Sequence, residues 1–105
     1  MLFRSPDDVA AGFSWRSIRA KLLARLGDID GADTVSLEAV ALVERTDALN
    51  QHAKVLADRA EILRLAEDFA AAAVCAEKAL ELYEQKGNIV AARQVRKVLE
   101  SLAVA

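Results

Sequence analysis

The chain holds one proline, four glycines, one cysteine and one histidine in 105 residues, and its aromatics are one Trp, one Tyr and three Phe. Each shortage excludes something. With so few helix breakers and few consecutive β-branched residues, little of the chain is suited to a sheet. A lone Cys75 rules out an internal disulfide and suits a reducing compartment. Any Ser/His/Asp or Cys/His arrangement would have to draw on His52 alone, so no catalytic residue is assigned. In the second half of the chain the longest run free of charge is 69–76, far short of the roughly 20 residues of a membrane span. The acids Asp7 and Asp8 follow Arg4 with no long apolar block behind them, so no signal peptide is visible and the expected location is the cytoplasm. A net charge of −2 and a pI near 5.4 argue against a nucleic-acid partner.

Motifs for small ligands are missing too. There is no GxxxxGK[ST], GxGxxG or HExxH, so neither a nucleotide, a cofactor nor a zinc ion is expected. The run Asp28-Ile29-Asp30-Gly31 has its glycine in the fourth position, where a calcium loop needs it in the sixth, and Ala39 stands where that loop needs glutamate. Helix capping explains Asp28 better. His52 reads as a helix-interface residue and Cys75 as a buried, inert thiol between Val74 and Ala76.

What the chain has in quantity is alanine, 22 residues, together with Leu, Glu, Lys and Arg, all strong helix formers. The expectation is an all-α protein, one domain over residues 1–105. Ser5-Pro6-Asp7-Asp8 has the chemistry of a helix start, with Ser5 as cap, and Gly27 ends that helix after Leu26. Asp28, Thr46 or Asp47, Asp68 and Asn88 are the expected caps of four further helices, with Gly87 a left-handed terminator. Apolar stripes run through Leu49, Ala53, Leu56, Ala60 and Leu63, and through Phe69, Ala73, Ala76, Leu80 and Tyr83. The last helix carries Ile89, Ala92, Val95, Val98 or Leu99, and Leu102, with Arg93, Arg96 and Lys97 outward. Loops this short make neighbouring helices antiparallel. The layout is a first hairpin at 5–46, a second at 47–86 and a capping helix at 88–103.

The two hairpins repeat with a shift of 40. Asp7 falls on Asp47, Ala20 on Ala60, Leu23 on Leu63, Asp28 on Asp68, Ala32 on Ala72, Ala39 on Ala79, Leu42 on Leu82 and Glu44 on Glu84. A fixed period of this size marks stacked helix pairs. With Ala60, Leu63, Ala72 and the run EKALELYE, the second hairpin resembles a tetratricopeptide repeat, though the period exceeds the standard 34 residues. The segments WRSIRAKLLARLGD, EAVALVERTDALN and LYEQKGNIVAARQVRKVLESL resemble the C-terminal helical repeats of large actinobacterial signalling ATPases, including those with an adenylate-cyclase-type domain. The likeness spans about Asp7 to Leu102. It implies a right-handed stack serving as a scaffold or interaction region, and nothing catalytic. Two departures stand out: Glu67 replaces the turn glycine of Gly27, and Arg19 and Arg59 occupy positions where a large apolar residue is common.

In this repeat class the first helix of each hairpin lines the concave face. The expected groove positions are Ser17, Lys21 and Arg25, then Lys54, Ala57, Glu61 and Arg64, with a modest basic excess suited to an extended acidic protein segment. The partner-binding residues expected are Lys21, Arg25, Lys54, Glu61 and Arg64. Lys21 and Glu61 stand where a chaperone-type carboxylate clamp has asparagines, which removes that ligand. Phe3, Phe13 and Trp15 form an aromatic cluster that either plugs the first end of the stack or anchors a neighbouring domain or a second copy. The alternative role is accordingly structural, a packing or homodimerisation domain with Phe13 and Trp15 at its interface and no ligand groove.

Overall fold

A computed structural model describes the backbone of residues 6–104 and the side chains from residue 12 to residue 104, and among these described residues there are five α-helices. They are α1 (Pro6–Arg25), α2 (Ile29–Val43), α3 (Leu49–Leu65), α4 (Phe69–Lys86) and α5 (Ile89–Ala103). No strand occurs among the described residues. Phe3, Ser5 and the side chains of Asp7 and Asp8 lie outside the described residues.

The last four helices start at residues 29, 49, 69 and 89, so each helix with its turn takes one 20-residue step. Three of the four turns share one bond pattern. Gly27, Glu67 and Gly87 each take a left-handed φ, of 90°, 61° and 79°. The residue after each donates its N–H five residues back, Asp28 to Leu23, Asp68 to Leu63 and Asn88 to Tyr83, all at 2.9 Å. That is the Schellman closure of a helix end. The same residue then caps the next helix: Asp28, Asp68 and Asn88 accept from the N–H of Gly31, Ala71 and Ala91. Glu67 therefore follows the glycine geometry although its Cβ makes that conformation costly.

The fourth turn differs. Neither Thr46 nor Asp47 caps α3. Its N-cap is Ala48, which has no side chain to offer, and the Thr46 hydroxyl accepts the Ala48 N–H and donates to the Val43 carbonyl instead. Thr46 closes the end of α2 rather than opening α3.

Helix α1 packs on α2, α3 on α4, and α4 on α5, while α3 also touches both α1 and α2. The molecule measures 44 × 34 × 17 Å, so its thin direction holds about two helix layers. Alanines allow the close approach: Ala20, Ala32, Ala39, Ala53, Ala60, Ala72, Ala76, Ala79 and Ala92 are all buried. On α3 the stripe of Ala53, Leu56, Ala60 and Leu63 is buried as expected. On α4 the buried face is Ala72, Ala76, Ala79, Leu82 and Tyr83, so Phe69 is exposed, and Ala73 and Leu80 are only half-buried at its margin. On α5, Ala92, Val95 and Leu102 turn inward, whereas Ile89 is exposed.

A second face of α3 seats it on the first hairpin. Val55 meets Phe13, Ala39 and Val43, and Ile62 meets Ala20, Ala24 and Ala32. Phe13 is thus an internal residue, 3% exposed, and cannot serve as an interface anchor. Trp15, two residues on, points away from that contact and is 54% exposed.

Candidate functional site: a groove along the odd helices

Two clefts run side by side over α1, α3 and α5. The first, about 570 Å3, lies between α3 and α5 and is lined by Lys54, Ala57, Glu61, Arg64, Gln94 and Val98, among others. The second, about 460 Å3, lies between α1 and α3, with Ser14, Ile18, Lys21, Asn50, Gln51 and Lys54 on its walls. Both include Lys54, Asp58, Tyr83 and Asn88, so the two form one continuous groove with those four residues at its middle.

At that centre a carboxylate ties α1 to α3. Asp58 is almost wholly buried and accepts from the Ser17 hydroxyl at 2.8 Å. Lys21 Nζ lies 3.2 Å from its Oδ1, and Lys54 Nζ reaches Oδ1 at 3.1 Å and Oδ2 at 3.4 Å. Two ammonium groups and a hydroxyl around one carboxylate satisfy it, which is the condition for keeping a charge inside at all. One positive charge is left over. The Lys54 side chain is 64% exposed and presents it to the groove, while the Lys21 side chain, at 25%, is mostly held inside.

Next to this cluster, Asn88 Nδ2 donates to Asn50 Oδ1 at 3.1 Å, joining the start of α5 to the start of α3. Tyr83 forms the floor. Burial raises its hydroxyl pKa above the ordinary value, and the nearby Asp58 charge raises it further, so it stays a neutral donor.

The residues expected at the groove divide into three groups. Lys54, Ala57, Glu61 and Arg64 line the cleft between α3 and α5, and Lys21 lines the one beside α1. Arg25 is exposed near the end of α1 and lines neither cleft. Ser17, expected on the surface, is buried at 6% because it serves Asp58. Asp58 was not anticipated. Its signals were present: an acid in a row with Val55 and Ile62, at the position where the first repeat has Ile18, and Lys54 one turn before it.

Charge also sorts by helix. After Asp8 every charged residue of α1 is basic: Arg16, Arg19, Lys21 and Arg25. All those of α2 are acidic, Asp30, Asp33 and Glu38. On α5, Arg93, Arg96 and Lys97 outnumber Glu100. Along the two clefts themselves the basic excess is a single charge, Lys21, Lys54 and Arg64 against Asp58 and Glu61.

Away from the groove, Arg59 spans the other side of α3. Its Nη1 sits 2.8 Å from Asp33 Oδ1 on α2, with its side chain only 14% exposed. Burial raises the Cys75 thiol on α4 above its ordinary value, and the nearby Arg59 charge works against that. Cys75 is half-buried rather than buried as expected. His52 is half-buried as well; desolvation lowers its pKa, the Glu44 charge opposes that, and Lys78 adds to it. Among the described residues no three His, Cys, Asp or Glu side chains gather as a metal site. Among the described residues no helix is long and apolar enough to cross a membrane.

Comparison with family models, curated proteins and solved structures gives no match to this chain.

Proposed function

We propose that this chain is a non-catalytic protein–protein interaction module whose groove over α1, α3 and α5 holds an extended acidic segment of a partner. The continuity of the two clefts through Lys54, Asp58, Tyr83 and Asn88 carries this reading. A groove that long and open suits a peptide better than a compact metabolite. Basic side chains at Lys54 and Arg64 supply attraction, and Asn50, Gln51, Asn88 and Gln94 supply donors and acceptors for a peptide backbone.

The 40-residue repeat and the paired helices support a right-handed, tetratricopeptide-like stack, two hairpins plus a closing helix. Placement in a bacterial signalling or regulatory protein rests on the sequence resemblance alone.

The test uses a labelled extended peptide of alternating Glu and Leu, with its Lys/Leu counterpart as control, followed by fluorescence anisotropy. The acidic peptide should bind and should weaken as salt rises. Arg64→Glu combined with Lys54→Gln should reduce binding about tenfold, roughly the loss of one good charged contact. Helicity by circular dichroism should not change, since both side chains are exposed. Lys21 is unsuited to this test because reversing its charge would set two carboxylates together at Asp58. Equal binding of both peptides, or no effect of the double change, would refute the groove assignment.

A further inference from the structure

Three helices of this chain carry the same seating face, and one of the three is bare. On α3 the face is Val55, Asp58, Arg59 and Ile62, seated in the α1/α2 hairpin with the Arg59–Asp33 ion pair at its margin. Forty residues on, Val95, Leu99 and Leu102 seat α5 on the α3/α4 hairpin, Val98 staying at the open edge: Val95 joins Ala79 and Tyr83, and Leu102 joins Leu63 and Ala72. Forty residues back, the face is Trp15, Ile18, Arg19 and Leu22 on α1. Nothing among the described residues covers it. Trp15 is 54% exposed, Ile18 60% and Leu22 53%, and Leu26 continues the stripe one turn on. Arg19, the counterpart of Arg59, pairs with no carboxylate among the described residues and lies 5.3 Å over the Trp15 ring.

The chemistry of the missing occupant follows from what fills the equivalent place on α3. Much of that place is α2: the small or compact residues Ala32, Ala39 and Val43, the carboxylate of Asp33 against Arg59, and no basic residue in the whole helix. A second copy of the chain does not supply such a face. Its α2 is already covered by α3 and its α4 by α5, and the outer side of α5 presents Arg93, Arg96 and Glu100. Two α1 faces set against each other would oppose Arg19 and Arg25 of both copies, the α1 cations that remain once Arg16 is paired with Glu38 and Lys21 with Asp58.

We infer that the outward face of α1 docks an acidic amphipathic helix of a partner protein, one with small apolar residues on its inner side and a carboxylate opposite Arg19. A single helix on this stripe covers less than the ~800 Å2 per partner of a standard interface, so the affinity belongs in the micromolar range. The face borders the groove, sharing Ile18 with its α1 wall, and its test reads a different signal.

Trp15 is the only tryptophan of the chain and reports directly on this face. The intact protein is titrated with a synthetic peptide of residues 28–45, the α2 sequence, while Trp15 emission is followed. A saturable blue shift in the micromolar range is expected. Arg19→Glu should weaken it at least tenfold, and the peptide carrying Asp33→Lys should recover the loss on that variant. A shift insensitive to Arg19→Glu would mean that the peptide displaces the chain's own α2 at Arg59, and it overturns the inference. So does the absence of any shift up to about 1 mM. Dimer mass in light scattering, with Trp15 emission that varies with protein concentration alone, would make a second copy the occupant and overturn it equally.

Discussion

The chain seats a helix on a hairpin twice, at the same positions, and fills the two seams differently. In the first seam a large residue on the leading helix, Phe13, and a small one on the following helix, Val43, close around Val55. In the second the sizes are exchanged: Ala53 and Tyr83 stand at the equivalent positions around Val95. Asp58 locks the first seam through Ser17 and Lys21, whereas its counterpart Val98 stays 40% exposed at the edge of the 570 Å3 cleft. One backbone plan thus gives a closed joint and an open one. The open joint is where side chains remain free to meet a ligand, and moving the aromatic ring from α1's position to α4's is what places Tyr83 on the groove floor.

Tyr83→Ala should have the largest effect. Removing a buried aromatic costs about 3 kcal/mol in a well-packed core, readable as a lower urea midpoint. The comparison itself is sharpened by Tyr83→Val combined with Ala53→Phe, which writes the first seam's filling into the second. If the seams are interchangeable, the pair is more stable than the two single changes predict together, by about 1 kcal/mol of coupling. Simple additivity would show that the seams differ in more than the placement of one ring.

Asp58→Ala comes next, at about 2 kcal/mol. It leaves the Ser17 hydroxyl buried without its acceptor and two ammonium groups without their counter-charge, discounted because Lys54 is mostly exposed and can turn to water. Val98→Ala, the matching change in the other seam, should cost under about 1 kcal/mol, since the side chain is already partly wet. Equal losses in urea unfolding would remove Asp58 as the lock.

Much of the fold was legible in advance because it is written in local chemistry. Asp28, Asp68 and Asn88 cap helices in the structure as their residue types require, and Gly27 and Gly87 take the left-handed turn that glycine favours. What stayed hidden was long-range. Ser17 and Asp58 are 41 residues apart, and each alone resembles an ordinary polar surface residue; only their meeting makes them internal. Phe13 resembled an end plug for the same reason, since its partners Val43 and Val55 lie far along the chain. On α4 an alanine-rich run gives several overlapping stripes of equal apolar character, so the expected face was rotated from the observed one.

Glu67 offers a smaller test of how alike the two hairpins are. Its turn makes the same bonds as that of Gly27, but with a side chain at φ 61°. Glu67→Gly should raise stability by about 0.5–1 kcal/mol, because the left-handed strain exceeds the entropy glycine adds to the unfolded chain. A loss instead would mean that the Glu67 side chain makes a contribution Gly27 lacks.

The smallest expected effect concerns His52, which stands where α2, α4 and α5 have Ala32, Ala72 and Ala92 as the fourth helical residue. Desolvation lowers its pKa in the folded state below the ordinary value near 6.5. The unfolded chain therefore binds the proton more readily, and stability rises with pH wherever that holds. Above about pH 7 both states are neutral and stability is flat with respect to this group. As pH falls through 6.5 toward the lowered folded value, the unfolded state gains protons first and stability declines. His52 is the sole histidine, so a slope in unfolding free energy between pH 7 and about pH 5.5, above most carboxylate titration, belongs to it. His52→Ala makes α3 begin as the other three helices do, and it should abolish the slope. A slope that survived the substitution would place the proton uptake elsewhere and leave the uncapped start of α3 as the real difference between the first seam and the second.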